Sequence, residues 1–359
     1  MNQTSKVQRV NYLDEAKAVG IIFVVVFHVL GTLINTDEKA FMPYVIRYIV
    51  TIALPIFFIV SGMLFYFKKP DNKGVKEVAK RKAKGLLTPY VCFSIILIVS
   101  YIVRCIAGDK AMSNGTVVKA CISFVTLRGF SVFWFLPVLF LAELAFTILY
   151  KKANGLVRSI GIAGLTLALL VICPMYSKPV WESSYLYFAL GSLLLVVGRT
   201  CLALGFLLMG YMLMYIMTKY NPSKIITLIV GLALLVGQYF VSYMVGGTNI
   251  NVLSFGNSYF FFLSAIVGSY GVILTLRSLP DMKVLKFIGS HSLTIMVTHM
   301  DFGVLALSMS IAYRYIAYIP RAKVLCLYGM IFGIISLMEL VLIFLFDRYL
   351  YKLLGQSKK

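Results

Sequence analysis

Long apolar runs alternate with short polar segments along the whole chain, as in IIFVVVFHVLGTLI (21–34) and ITLIVGLALLVGQYFV (226–241). Hydrocarbon offers backbone N–H and C=O groups no partner, so a crossing segment is a helix or part of a closed barrel. Barrel strands show as alternating segments of about ten residues, and these runs do not alternate. The pattern predicts an all-α, polytopic transmembrane helical bundle forming a single domain, 1–359. Ten spans fit, near 13–34, 48–67, 84–106, 131–150, 157–174, 200–218, 225–244, 254–276, 288–310 and 325–349. Each can cover a core of about 30 Å at about 1.5 Å per residue. The stretch 183–198 (SSYLYFALGSLLLVVG) is apolar but short, and Arg199 alone parts it from the next span. It reads as a re-entrant or interfacial segment. A full crossing there would make eleven spans and move the C-terminus to the other side.

Composition agrees. Apolar residues make up 60% of the 359 and charged ones 13%, where a soluble domain carries about a quarter charged. The net charge of +21 has a topological reading, because cytoplasmic loops collect Lys and Arg. With the N-terminus inside, two-thirds of the 34 Lys and Arg fall on the cytoplasmic side, many of them in KKPDNKGVKEVAKRKAK (68–84). Ten spans also bring the basic C-terminal tail inside. The basic residues are spread over loops with no soluble domain to present them, so no nucleic-acid partner is expected. The first apolar stretch is long and lacks a cleavage-site pattern, so no cleavable signal peptide is expected. The six cysteines form no C-x-x-C pair, and no zinc, Walker or G-x-G-x-x-G pattern occurs; no metal is expected.

Polar residues inside the membrane are costly and therefore informative. His28 lies well inside the first span, and Lys17 precedes it by eleven residues. At about 100° per residue the two return to within about 20° of one helix face, about 16 Å apart along the axis. Asp14 lies near that face too. A stripe thus runs from a cation at the cytoplasmic end to an imidazole near the midplane. Imidazole can exchange a proton near neutral pH; the alternative is a histidine bonded to a neighbouring helix.

Several motifs share one order with a known family. Lys17 and His28 match an Arg/Lys-x10-His pattern, followed by FFIVSG (57–62), RKAK (81–84) with Pro89-Tyr90, Phe133-Trp134-Phe135-Leu136, and SLTIMVTH (292–299). In this the chain resembles the integral-membrane acyltransferases of acyltransferase family 3, which includes bacterial glycan O-acetyltransferases. Lys84 stands where that family's pattern has a second arginine, keeping the charge but losing the bidentate fork.

The resemblance implies a multi-pass protein of the bacterial plasma membrane. It would transfer an acyl group, most often acetyl, from cytosolic acetyl-CoA to a hydroxyl of a surface glycan or its lipid-linked precursor. Arg81, Lys82 and Lys84 would dock the CoA phosphates, with Lys17 at the entrance; the other reading of this loop is positive-inside topology alone. His28 would be the general base on the acceptor hydroxyl or would carry the acyl group itself. Ser61 is either a pocket donor or a helix-packing residue, and Trp134 a sugar-stacking wall or an interface anchor. Glu143 would orient an imidazole or pair with a cation, and His299 is a second buried imidazole of the site. His291 reads as a capping or solvated residue. An exporter of surface polysaccharide and a structural assembly partner are rival readings. No paired halves favour the exporter, and an assembly partner has no need of the Lys17–His28 spacing.

Overall fold

The computed structural model describes residues 10–33, 42–68, 74–109, 112–172, 184–316 and 323–356. Lys73, Cys173, Lys358 and Lys359 lie outside them. The described chain is helical almost throughout: α1 (Asn11–Leu33), α2 (Met42–Ala53), α3 (Pro55–Lys68), α4 (Val75–Ile106), α5 (Asn114–Val125), α6 (Phe135–Lys152) and α7 (Gly155–Ile172), then α8 (Tyr185–Tyr220), α9 (Lys224–Tyr243), α10 (Ser258–Ser278), α11 (Lys283–Ser290), α12 (Ser292–Thr298), α13 (Val304–Ile316) and α14 (Lys323–Leu345). Among the described residues, seven stretches are long and apolar enough to cross a membrane, within α2–α3, α4, α7, α8, α9, α10 and α14 onward. The chain is a multi-pass membrane protein.

The elements depart from the predicted spans in four places, each for a local reason. The basic stretch before residue 84 is not a loop. VKEVAKRKAK holds good helix formers and no breaker after Gly74, so α4 runs on through it. The segment 183–198 is neither re-entrant nor a separate crossing, because from Tyr185 it is the first half of α8. Arg199 does not end that helix, since it faces protein rather than lipid and is 2% exposed. At 36 residues α8 is about 54 Å long, well beyond a hydrocarbon core of about 30 Å. The predicted span 288–310 is broken between Thr298 and Val304, where Gly303 takes φ +77°. A small antiparallel hairpin, β1 (Thr248–Asn249) with β2 (Ser254–Phe255), joins α9 to α10, a feature absent from the all-helical expectation.

Contacts between distant segments put both described ends of the chain at one end of the bundle. The Asn11 carboxamide donates to the Asp281 carboxylate just before α11, and Gly289 sits against the backbone of Asp14. His291 Nε2 lies 3.1 Å from Asp347 Oδ2 beyond α14. Gly355 then packs against the carbonyl of Lys84. His291 thus caps the end of α11 and is buried there rather than solvated.

One of the tightest helix crossings is α3 on α8. A Cβ on Gly62 would stand 2.0 Å from the Leu207 carbonyl oxygen, and one on Gly210 would stand 1.9 Å from that of Ile59. The two helices touch backbone to backbone, which only glycine permits. Helix association in lipid relies on such close packing because lipid tails are as apolar as the helices. Overpacking a core costs about 1–3 kcal/mol where side chains can yield; here the obstacle is backbone. Gly210→Val should therefore lower membrane-inserted protein sharply, whereas Gly237→Val, with open space at its Cβ, should accumulate normally when the two are compared by immunoblot.

Candidate active site

His28 lies on α1 in the middle of the bundle, half-buried, and its ring centroid is 5.3 Å from that of His299. His299 follows α12 directly and is buried. Its Nδ1 is 2.8 Å from the Ile295 carbonyl. A carbonyl can only accept, so Nδ1 carries a proton, and in the neutral ring Nε2 keeps a free lone pair. That Nε2 has no hydrogen-bond partner among the described residues. The break after α12 is what lets this ring stand beside α1. His28 itself faces a cavity of about 250 Å³, which it lines with Trp134, Phe135, Asn251 and Met296.

Toward the end that holds Asp14 and Lys84, two smaller cavities follow. One of about 140 Å³ is lined by Lys17, Ser61, Phe135 and Met296. The next, of about 60 Å³, is lined by Ser61, Arg81, Lys82 and Glu143. Neighbouring cavities share walls: Phe135 and Met296 separate the first two, and Ser61 with Leu64 the last two. The Lys17–His28 stripe is therefore lined by open space at both ends. Lys17 Nζ pairs with Asp14 Oδ1 at 2.6 Å. In FFIVSG the two small residues divide the work, Gly62 at the crossing with α8 and Ser61 on the cavities.

Lys82 and Glu143 meet each other: Nζ to Oε1 is 2.6 Å, with the carboxylate nearly buried and the ammonium partly exposed. Glu143 thus stands beside a cation at the basic end, away from both imidazoles. Arg81 is exposed and lines the same small cavity. Lys84 is exposed too; its carbonyl meets Gly355, and it lines none of these three cavities. Tyr90, after Pro89, donates through its hydroxyl to the Phe124 carbonyl at 2.8 Å and so ties α4 to the end of α5.

The wall opposite the basic end was largely invisible to sequence reasoning. Trp134 is buried and lines the large cavity with Ser131 and residues 248–251, which is a protein wall and not a membrane interface. Glu339 on α14 was also missed. It is buried and accepts from the Thr298 hydroxyl at 2.8 and 3.0 Å. A carboxylate in the middle of an apolar span was the available signal. Glu339 faces a separate, mostly apolar cavity of about 470 Å³ between α1, α11 and α14. That space is the larger one but contains neither imidazole.

The architecture and this buried polar axis define a multi-pass membrane protein with ionisable side chains in its interior. The family model described as "Acyltransferase domain", that of acyltransferase family 3, matches residues 10–345, so the chain belongs to that family and is a membrane acyltransferase. No curated protein and no solved structure matches it.

The Lys82–Glu143 pair yields a stability test. Removing one member of a shielded pair leaves the other charge stranded, and a double-mutant cycle isolates that penalty. Lys82→Ala should lower the thermal midpoint of the purified protein by several degrees, and Lys82→Ala/Glu143→Ala should recover part of the loss. Lys84→Ala should leave the midpoint within about a degree, as for most exposed charges.

Proposed function

We propose that the protein is an O-acyltransferase of the bacterial plasma membrane that moves an acetyl group from cytosolic acetyl-CoA to a hydroxyl of a surface glycan or its lipid-linked precursor. The observation that carries this reading is the imidazole pair, whose His28 ring lines a cavity that shares its Phe135–Met296 wall with the one leading to the basic end. In this reading the basic end is cytoplasmic. The seven apolar stretches, together with α1, α6 and the broken α11–α13 segment, make ten crossings with both termini inside. The charged residues Asp14, Glu15 and Lys17 on α1 and Glu143, Lys151 and Lys152 on α6 are what make those two helices less apolar.

Arg81 and Lys82 receive the phosphates of CoA, with Lys84 adding charge at the same end. The pantetheine arm follows Lys17 and Ser61 toward Phe135 and Met296, which brings the thioester to His28. The acceptor hydroxyl enters from the other side, against Trp134. In direct transfer, an imidazole takes the hydroxyl proton as the oxygen attacks the thioester carbonyl. The C–S bond breaks, and the CoA sulfur leaves with the electron pair and collects the proton. In the two-step form a His28 nitrogen attacks the thioester carbonyl, the C–S bond breaks and the CoA thiolate leaves; the acceptor oxygen then attacks the acyl-imidazole, the C–N bond breaks, and the hydroxyl proton passes to the other imidazole. The free Nε2 of His299 suits it to share the proton in either form. Glu143 holds Lys82 in place.

A general base contributes about a hundredfold to ten-thousandfold. His28→Gln keeps the side chain's size and hydrogen-bonding capacity but cannot take up a proton. It should abolish measurable transfer from acetyl-CoA to the surface glycan while membrane abundance stays near normal. Near-full transfer by the purified Gln variant would make His28 structural and move the catalytic role to His299. The orientation is tested separately: a reporter fused after Lys359 should be active only in its cytoplasmic form, and a signal from the outer side would sink the ten-crossing arrangement.

A further inference from the structure

The wall of the large cavity away from the basic end is built from two loops, and one side chain stands behind both. Ser131 and Trp134 come from the connection between α5 and α6, and residues 248–251 from the hairpin between α9 and α10. Neither loop follows relaxed backbone geometry. Leu127, Ser131 and Leu253 take φ of 59°, 53° and 52°, and Gly129 takes 63°. Side-chain-bearing residues persist in the left-handed region only where their surroundings over-determine it.

Arg199 supplies that determination. It sits midway along α8, and its Nη1 donates to the Arg128 carbonyl at 2.6 Å in the first loop. Its Nη2 donates to both the backbone and the side-chain oxygen of Asn251 in the second. The guanidinium carbon lies 4.8 Å from the centroid of the Trp134 ring. Arg128 adds a second tie to α8, donating to Ser192 Oγ at 3.2 Å and stacking 4.4 Å over Phe188. Among the described residues no carboxylate pairs with Arg199, so neutral oxygens and an indole face carry the whole compensation for a costly buried cation. A planar fork with five donors can reach two loops at once; an ammonium cannot.

The same bonds decide what the loops present. Arg199 can only donate, which turns the Asn251 Oδ1 toward it and leaves the Nδ2 hydrogens for a ligand. Asn249 Oδ1 accepts from the Asn251 backbone N–H at 3.0 Å, which leaves its Nδ2 hydrogens in the same condition. An indole face with two carboxamide donors across a cavity of about 250 Å³ suits one sugar ring, with its apolar face on the indole and its hydroxyls on the amides.

We propose that Arg199 is the positioning residue of the acceptor subsite, setting the separation between Trp134 and the Asn249–Asn251 segment so that a single sugar ring is held with its hydroxyl toward His28. This rests on the reading that the cavity takes the saccharide acceptor, and it adds the residues that select it. The test uses the purified full chain, acetyl-CoA, and surface glycan extracted from cells that lack the protein, with donor and acceptor concentrations varied independently. Arg199→Met should raise the acceptor KM about tenfold or more, while the donor KM and the calorimetric affinity for acetyl-CoA stay within about twofold. Arg199→Lys should not restore the acceptor KM, because charge without the fork cannot hold both loops. Asn251→Ala should reproduce the acceptor-only change and serves as the deciding variant if Arg199→Met does not accumulate. An unmoved acceptor KM, full rescue by Lys, or donor and acceptor parameters that shift together would each overturn the proposal. Wild-type protein that neither binds nor uses acetyl-CoA would end the functional reading, and this proposal with it; normal wild-type turnover with an unmoved acceptor KM ends this proposal alone.

Discussion

Gly62 and Gly210 let α3 and α8 meet backbone to backbone, and polar groups at both ends of the site are carried by that pair of helices. Ser61 is one residue from the crossing and faces the cavities at the basic end. Arg199 lies about three turns from it along α8 and meets the loops at the other end. A single rigid helix longer than the bilayer core therefore sets the distance between the two ends of the site. In a medium that gives apolar faces no preference for one another, a close crossing is what selects one arrangement of helices.

The ionisable groups along this axis meet several kinds of partner. Lys17 and Lys82 have carboxylates at 2.6 Å. Arg199 has carbonyl and amide oxygens and an indole ring. The imidazole of His299 has a carbonyl on one nitrogen and nothing described on the other, while His28 opens onto the cavity. Charges thus have partners at both ends, although Glu143 Oε2 and Arg199 Nε lack one among the described residues, as His299 Nε2 does at the centre. Unsatisfied polar atoms are expensive in such an interior, and in the proposed reaction the one on His299 is where a proton is exchanged.

The separation of ends also divides the chemistry by charge. The end with Arg81, Lys82 and Lys84 suits a polyanionic donor. The end with Trp134, Asn249 and Asn251 offers an aromatic face and neutral amides, which suit an uncharged or weakly charged hydroxyl compound. In the proposed reaction the reacting groups meet where Phe135 and Met296 form the wall shared by the two spaces.

Local geometry was legible in the sequence. Helical spans follow from uninterrupted apolar runs, and the Lys17–His28 stripe follows from the turn of a single helix, which depends on no other part of the chain. The order of motifs carried the family, as the match over residues 10–345 shows. Tertiary structure decided the partners. Glu143 met Lys82 and not an imidazole, His28 met a ring 271 positions away, and Arg199, which looked like a break between two hydrophobic segments, became a clamp inside one helix. Hydropathy reports that a segment can lie in lipid, but nearly every face of such a segment is apolar. Which face turns inward, and which distant polar group it meets there, is settled by helix packing alone.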